Sequence, residues 1–214
     1  MILRSADRQS WERAGAFQVG RDIREPRFLV FNDTLFLYFF HAGTHPLKFE
    51  PQHIYATSLT EDGSWKEPER VFKPGYVVWR VRSFGDTAYM SVYHGAGIYT
   101  TGDRPGDLRL LTSRDGHTWQ PISEKPQVDT ISAEEGAFLF DAEGNLYATV
   151  RLETGGALVC RASKYDLSKW ECVYTPDKYD SALMFRHGPE FYVIARRNVA
   201  GPFASGADWL PPSW

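Results

Sequence analysis

Residues 113–119 read SRDGHTW. Asp115-Gly116 is a strong turn signal, because glycine accepts the backbone angles of a tight hairpin and aspartate hydrogen-bonds its own backbone. Trp119 then offers a large apolar face to whatever lies beneath it. The stretch separates two apolar runs, so it reads as a β-hairpin turn. It also recurs. SADRQSW (5–11) keeps Ser5, Asp7, Ser10 and Trp11, with Arg8 in place of the glycine. SLTEDGSW (58–65) keeps Asp62, Gly63 and Trp65, and SKYDLSKW (163–170) keeps Asp166 and Trp170. The four tryptophans stand 54, 54 and 51 residues apart. A period near 50 residues points to a repeat architecture such as propeller blades.

Outward from these turns, short strand-like runs dominate and helical periodicity is hard to find. Each repeat opens with a paired run: REPRFLVF-NDT-LFLYFFH (24–41), WRVRSF-GDT-AYMSVYH (79–94), EEGAFLF-DAEGN-LYATVR (134–151) and DSALMF-RHGPE-FYVIARR (180–197). A third strand follows in three of them, as HIYATS, LRLLTS and ALVCRAS, and runs into the Asp/Trp hairpin and a fourth strand. Four antiparallel strands make one blade. The expectation is an all-β propeller with about four blades in the chain: one domain over 1–198 and an irregular tail over 199–214. The chain opens on a third and fourth strand and finishes on a first and second. On one reading the two ends pair, complete a blade and close the ring, which buries the free sheet edges. On the other, the chain is a piece of a five- or six-bladed protein that begins in mid-blade.

Composition narrows the partners. Of 214 residues, 43% are hydrophobic and 15% aromatic, ample for a core. A net charge of -3 and a pI near 6.1 argue against broad attraction to nucleic acid. No run approaches the roughly 18 apolar residues of a membrane helix. MILRSADRQSWERAG lacks the apolar core of a signal peptide, so the chain as given reads as cytoplasmic. Cys160 and Cys172 sit symmetrically about the SKYDLSKW turn, a placement that allows them to face each other across a hairpin. The expectation is a reduced, packed pair, with a cross-strand disulfide as the alternative.

The Ser-x-Asp-x-Gly-x-Thr-Trp hairpin resembles the Asp-box of sialidases and related propellers; SRDGHTW is one residue shorter. IREP (23–26) is similar to the Arg-Ile-Pro opening of sialidase catalytic domains, with Glu25 in the isoleucine position, and to the Arg-Asp-Pro opening of family 43 glycoside hydrolases. The resemblance covers nearly the whole chain. It implies a carbohydrate-active propeller, a sialidase-like or family 43-like glycoside hydrolase with an Arg/Glu-lined axial pocket, a small-molecule or glycan substrate and no cofactor. The same fold also carries non-catalytic propellers that bind glycan or protein. The oligomeric state stays open.

Antiparallel order decides which residues share a face. The Asp/Trp hairpins fall on one face, where they hold the fold. The starts of first strands and ends of second strands fall on the other: Arg24, Glu25, Arg27, Arg80, Arg82, Glu134, Glu135 and Asp180, then His41, His94, Arg151, Arg196 and Arg197. Such charges either staple blade to blade or line a pocket in which arginine grips a carboxylate and glutamate does acid-base work. Glu135 and Arg151, at the two ends of one hairpin, form the sharpest pair. Arg24, Glu135 and Arg151 are expected in one open pocket, with Arg196 or Arg197 at its rim and Arg80 and Asp180 as further substrate-binding groups.

The sialidase resemblance implies a triad of Arg24, Arg151 and Arg197 (or Arg196), with Tyr179 as the candidate nucleophile and Asp33 as the candidate acid/base. The family 43 resemblance implies instead two carboxylates, Glu25 and Glu135, held about 5 or about 6.5 to 9.5 Å apart. EEGA (134–137) is similar to its Glu-Gly-Pro acid motif. Other features read blandly. His41, His45 and His53 do not lie on a helix, so their spacing predicts no metal site. Asn32-Asp33-Thr34 is a hairpin turn, and Gly95-Ala96-Gly97 is too short for a phosphate loop. Trp79, Tyr93, Tyr99 and Tyr179 either stack on sugar rings or belong to the core.

Overall fold

The computed structural model describes residues 1–43, 50–94, 105–153 and 155–198. The described residues are strands and turns, with no helix. An N-terminal hairpin joins β1 (Ile2–Arg4) to β2 (Glu12–Gly15). Three four-stranded antiparallel sheets follow. The first holds β3 (Asp22–Phe31), β4 (Thr34–Ala42), β5 (Ile54–Ser58) and β6 (Glu69–Arg70); the second holds β7 (Tyr76–Phe84), β8 (Thr87–His94), β9 (Leu108–Ser113) and β10 (Gln120–Pro121). The third holds β11 (Ala133–Phe140), β12 (Leu146–Leu152), β13 (Ala157–Ala162) and β14 (Glu171–Thr175). A last hairpin pairs β15 (Lys178–His187) with β16 (Glu190–Asn198). This is the blade order that the repeats predict.

The inner strands explain the apolar runs. A blade lies between two others, so its second strand is buried on both faces and tolerates no polar alternation. LYFF in β4 and AYMSVY in β8 are buried throughout. A single core runs through the three sheets, from Leu29 and Tyr38 past Met90 and Leu110 to Phe138 and Cys160.

The Ser/Asp/Trp turns lock blade to blade. Asp115 Oδ1 accepts the amides of His117 and Thr118 at 2.8 and 2.7 Å, and Ser113 Oγ accepts that of Gly116 at 2.8 Å. Gly116 has φ 79°, and a Cβ there would stand 2.6 Å from the Phe36 ring of the preceding blade. Both Trp119 Nε1 and Tyr38 Oη donate to the Gly116 carbonyl, and the two rings meet edge to face at 5.5 Å. Trp119 is buried, Trp65 and Trp170 partly buried. Trp11 is 61% exposed, because its hairpin has no inner strands of its own.

Two expectations are corrected. The N-terminal strands do not pair with the C-terminal hairpin; among the described residues β1-β2 and β15-β16 are separate two-stranded sheets. The first sends Ile2 against the Phe39 and Tyr55 cluster of the first blade, while β15 and β16 lay Met184 and Phe191 against Leu139 and Tyr147 of the third. The cysteines are not a reduced pair either. Cys160 and Cys172 sit directly opposite one another in β13 and β14, with Cα atoms 4.1 Å apart, and form a disulfide. That separation is the close one of a cross-strand pair and brings the two sulfurs within bonding reach. Residues 199–214, expected as an irregular tail, lie outside the described residues, as do His45, Gly95-Ala96-Gly97 and Tyr99.

Candidate functional site

Every first strand carries one extra residue at the same place. The register of β3 slips between Arg24 and Arg27, that of β7 between Val78 and Arg80, that of β11 between Glu134 and Ala137, and that of β15 between Asp180 and Leu183. These are β-bulges, which re-aim the side chains at a strand end. At three of them a non-glycine residue takes the left-handed region: Glu25 (φ 51°), Glu135 (φ 49°) and Ser181 (φ 53°). Such a conformation costs about 1 kcal/mol or more per residue and persists only where its surroundings enforce it. Three equivalent costs, at the same end of two blades and of the last hairpin, make that end the candidate site.

Three of the bulges, those of β3, β7 and β15, border an open pocket of about 350 Å³ lined by Glu25, Arg27, Trp79, Arg80, Ser181 and Leu183. Arg27 pairs with Glu25, and its Nε donates to the Trp79 carbonyl at 2.5 Å. The Arg80 guanidinium lies 4.6 Å from the Trp79 ring centre and donates from β7 to the Ala182 carbonyl of β15 at 2.5 Å. Burial first, then the Arg27 charge, push Arg80 down to about 10, so it stays a cation at neutral pH. Arg82 caps the Met184 carbonyl in the same way.

Behind Ser181 sits the second half of the site. Glu135 Oε2 accepts the Ser181 amide at 2.7 Å, and its Oε1 meets Arg151 Nη1 at 3.1 Å. Arg196 Nη2 donates to Ser181 Oγ at 2.9 Å. Burial raises the Glu135 carboxyl above the usual range; Arg151 and the Ser181 amide pull it back only in part. A carboxyl held toward neutrality is suited to proton transfer.

The structure thus brings Glu135, Arg151 and Asp180 together, with Arg151 Nε 2.6 Å from Asp180 Oδ1. It brings Glu25 and Arg80 to the pocket wall and Arg196 to its Ser181 side. It does not bring Arg24 to Glu135 and Arg151. Arg24 occupies the bulge position that Glu134 and Asp180 hold in other blades and pairs with Asp22 at 2.6 Å. The expected single pocket of Arg24, Glu135 and Arg151 is therefore not formed; Arg151 is 8% exposed and enclosed by carboxylates. Asp33 lies in the β3-β4 turn, at the far end of the hairpin from Arg24. Tyr179 is half-buried early in β15, opposite Arg197 in register. The Arg197 side chain lies outside the described residues.

Arg27 and Trp79, read from the sequence as a charge at this end and as an aromatic that either stacks on a sugar or packs in the core, complete the pocket with Ser181, which the sequence reading did not single out. In register Glu25, Trp79, Glu135 and Ser181 each follow directly on the last residue paired before the slip, but their distances from the β-turn differ by one residue, so the turn alone does not align them. A larger cleft of about 680 Å³ borders Tyr76, His94 and Arg109, but its polar groups close on one another: Tyr76 Oη donates to Asp107 at 2.6 Å, and Arg109 pairs with the same carboxylate at 2.6 Å. His41 and His53 meet edge to face at 5.9 Å beside Tyr55, both held below the ordinary imidazole range by burial.

No family model and no curated protein matches the sequence. Solved structures do match the fold. A protein of unknown function from Dyadobacter fermentans aligns over 86% of this chain and 60% of its own at TM-score 0.66 and 17% identity. A Trypanosoma rangeli sialidase in complex with sialic acid aligns over 89% of this chain and 37% of its own at TM-score 0.59 and 15% identity. An α-L-arabinofuranosidase from Clostridium thermocellum aligns over 85% and 66% at TM-score 0.57 and 13% identity. The chain spans between about a third and two thirds of these proteins' length. In fold it is a β-propeller similar to those of sialidases and family 43 glycoside hydrolases.

Proposed function

We propose that the chain is a carbohydrate-active propeller and that its axial pocket is the site of glycoside hydrolysis. The observation that carries this is the set of equivalent bulges, which turn Glu25, Trp79 and Ser181 to one pocket with Glu135 directly behind. Glu135 holds or takes the proton, Glu25 is the second carboxylate, and Arg80 with Arg27 favours a substrate bearing an acidic group. Trp79 gives that substrate an apolar wall. The neighbours' sialic acid complex and arabinofuranosidase activity support a glycan as the ligand class. The Cys160–Cys172 bridge favours an oxidising compartment over the cytoplasm.

Turnover of a panel of chromogenic sialosides and pentosides by the parent, Glu135→Gln and Glu25→Gln tests this. The expected result is turnover by the parent on at least one substrate, lost in Glu135→Gln with binding retained. A second reading, a non-catalytic glycan-binding pocket, is favoured by the Arg27–Glu25 pair, which satisfies both charges without ligand. It expects no turnover from any of the three proteins and binding changes only.

A further inference from the structure

Of the three left-handed residues at the bulges, Ser181 alone is not a carboxylic acid. Glu25 (φ 51°), Glu135 (φ 49°) and Ser181 (φ 53°) share that conformation. The two glutamates are each held by an arginine: Glu25 pairs with Arg27, and Glu135 Oε1 meets Arg151 Nη1 at 3.1 Å. Glycine takes a left-handed φ with no Cβ to clash and is the default residue there. The Ser181 amide donates to Glu135 Oε2 at 2.7 Å, but a glycine would offer the same amide. What a glycine would lack is the hydroxyl.

Ser181 lines the open pocket, and Arg196 Nη2 donates to its Oγ at 2.9 Å. A guanidinium carries donors only, so Oγ is the acceptor in that bond and its own O–H remains to be given. Among the described residues no acceptor takes that proton. A bond received from a cation also polarises the hydroxyl and strengthens the bond it gives in turn. Elsewhere on the pocket wall, Arg27 donates to the Pro26 and Trp79 carbonyls and pairs with Glu25. Arg80 donates to the Trp79 and Ala182 carbonyls. These two supply the wall's positive charge; Ser181 supplies a neutral donor.

We propose that the Ser181 hydroxyl, oriented by Arg196, donates to a ring hydroxyl of the bound sugar and sets the preference for sugars that carry that hydroxyl. This rests on the reading of the pocket as a glycan site. The ligand's carboxylate belongs with Arg27 and Arg80, which leaves a neutral hydroxyl to match the neutral donor. A site built to hydrogen-bond a hydroxyl discriminates against the analogue without it. Ser181 is thus a specificity residue, and the chemistry stays with the carboxylates.

Ser181→Ala removes the hydroxyl and keeps the Cβ and the amide that Glu135 accepts. Calorimetric titration of parent and variant with sialic acid and glucuronic acid, then with monodeoxy analogues of whichever binds, reads the proposal. Ser181→Ala should bind about 3- to 10-fold more weakly, the range of one neutral hydrogen bond. One deoxy analogue should show the same loss on the parent and no further loss on the variant. The melting temperature of Ser181→Ala should stay within about 2 °C of the parent's. A serine with only a structural part would do the reverse, lowering the melting temperature and leaving affinity unchanged. Ser181→Gly should bind as weakly as Ser181→Ala yet melt about 2 to 4 °C above it, because glycine relieves the left-handed backbone. Equal affinity of parent and Ser181→Ala, deoxy losses that add in full to that of the variant, or a Ser181→Gly that melts below Ser181→Ala would overturn the proposal. If the parent binds neither sugar, the glycan reading and this one fall together; if the parent binds and Ser181→Ala binds equally, this one falls alone.

Discussion

Replacing Trp119 with alanine removes a side chain that is 7% exposed and packed against the preceding blade. Truncating a buried large aromatic costs about 3 to 5 kcal/mol. The edge-to-face contact with Tyr38 at 5.5 Å places this site toward the upper part of that range, since such a pair adds about 0.5 to 1.5 kcal/mol beyond its burial. The Gly116 carbonyl keeps the Tyr38 hydroxyl as a donor at 2.7 Å, so no buried acceptor is orphaned to raise the cost further. For a chain of this size, 1 kcal/mol moves the melting temperature by about 2 to 4 °C. The variant should therefore melt roughly 6 to 20 °C lower, measured by circular dichroism at two protein concentrations. Trp11→Ala is the matched control: it holds the same place in its hairpin but is 61% exposed, and it should cost less than about 1 kcal/mol. Equal losses in the two variants would refute the claim that these turns stabilise by docking on the blade before them.

Reducing the Cys160–Cys172 bridge, which closes a loop with sequence separation 12, should cost about 3 kcal/mol, read as a lower melting temperature in thiol than in oxidising buffer; no shift would mean the bridge does not form. Asp115 is held below the ordinary carboxylate range: burial works against this, but the Thr118 and His117 amides with the Thr118 and Ser113 hydroxyls outweigh it. Its contribution is thus present above about pH 4 and is lost as pH falls below that, so Asp115→Asn should lower stability at pH 7 and flatten the acid side of the stability profile. Gly116→Ala should unfold more readily than Gly85→Ala, because Phe36 stands in the path of the new Cβ at the first position and nothing does at the second.

The blades were legible because they rest on signals with a short range. Short apolar runs, Asn32-Asp33 and Asp62-Gly63 turns and the spaced tryptophans each specify local backbone, and together they give the sheets. The bulges were not legible. Glu25, Glu135 and Ser181 adopt left-handed angles without a glycine to announce them, and a single extra residue decides which way Glu134 and Glu135 turn. For the same reason Arg24 was carried into the site on its motif, while the bulge after it leaves it beside Asp22 and sends Arg27 to the pocket instead. The burial of Lys178 and Glu134 had no sequence signal either, since it depends on two strands from different blades closing over them.

The axial pocket itself is tested most directly by a crystal structure of the protein soaked with an acidic monosaccharide. The account predicts the sugar at the axis, its carboxylate within hydrogen-bond distance of Arg80 or Arg27 and its ring against Trp79, with Glu25 and Glu135 on the side of the anomeric carbon. A sugar seated instead in the cleft beside Tyr76 and Arg109, with the axial pocket unchanged, would contradict it.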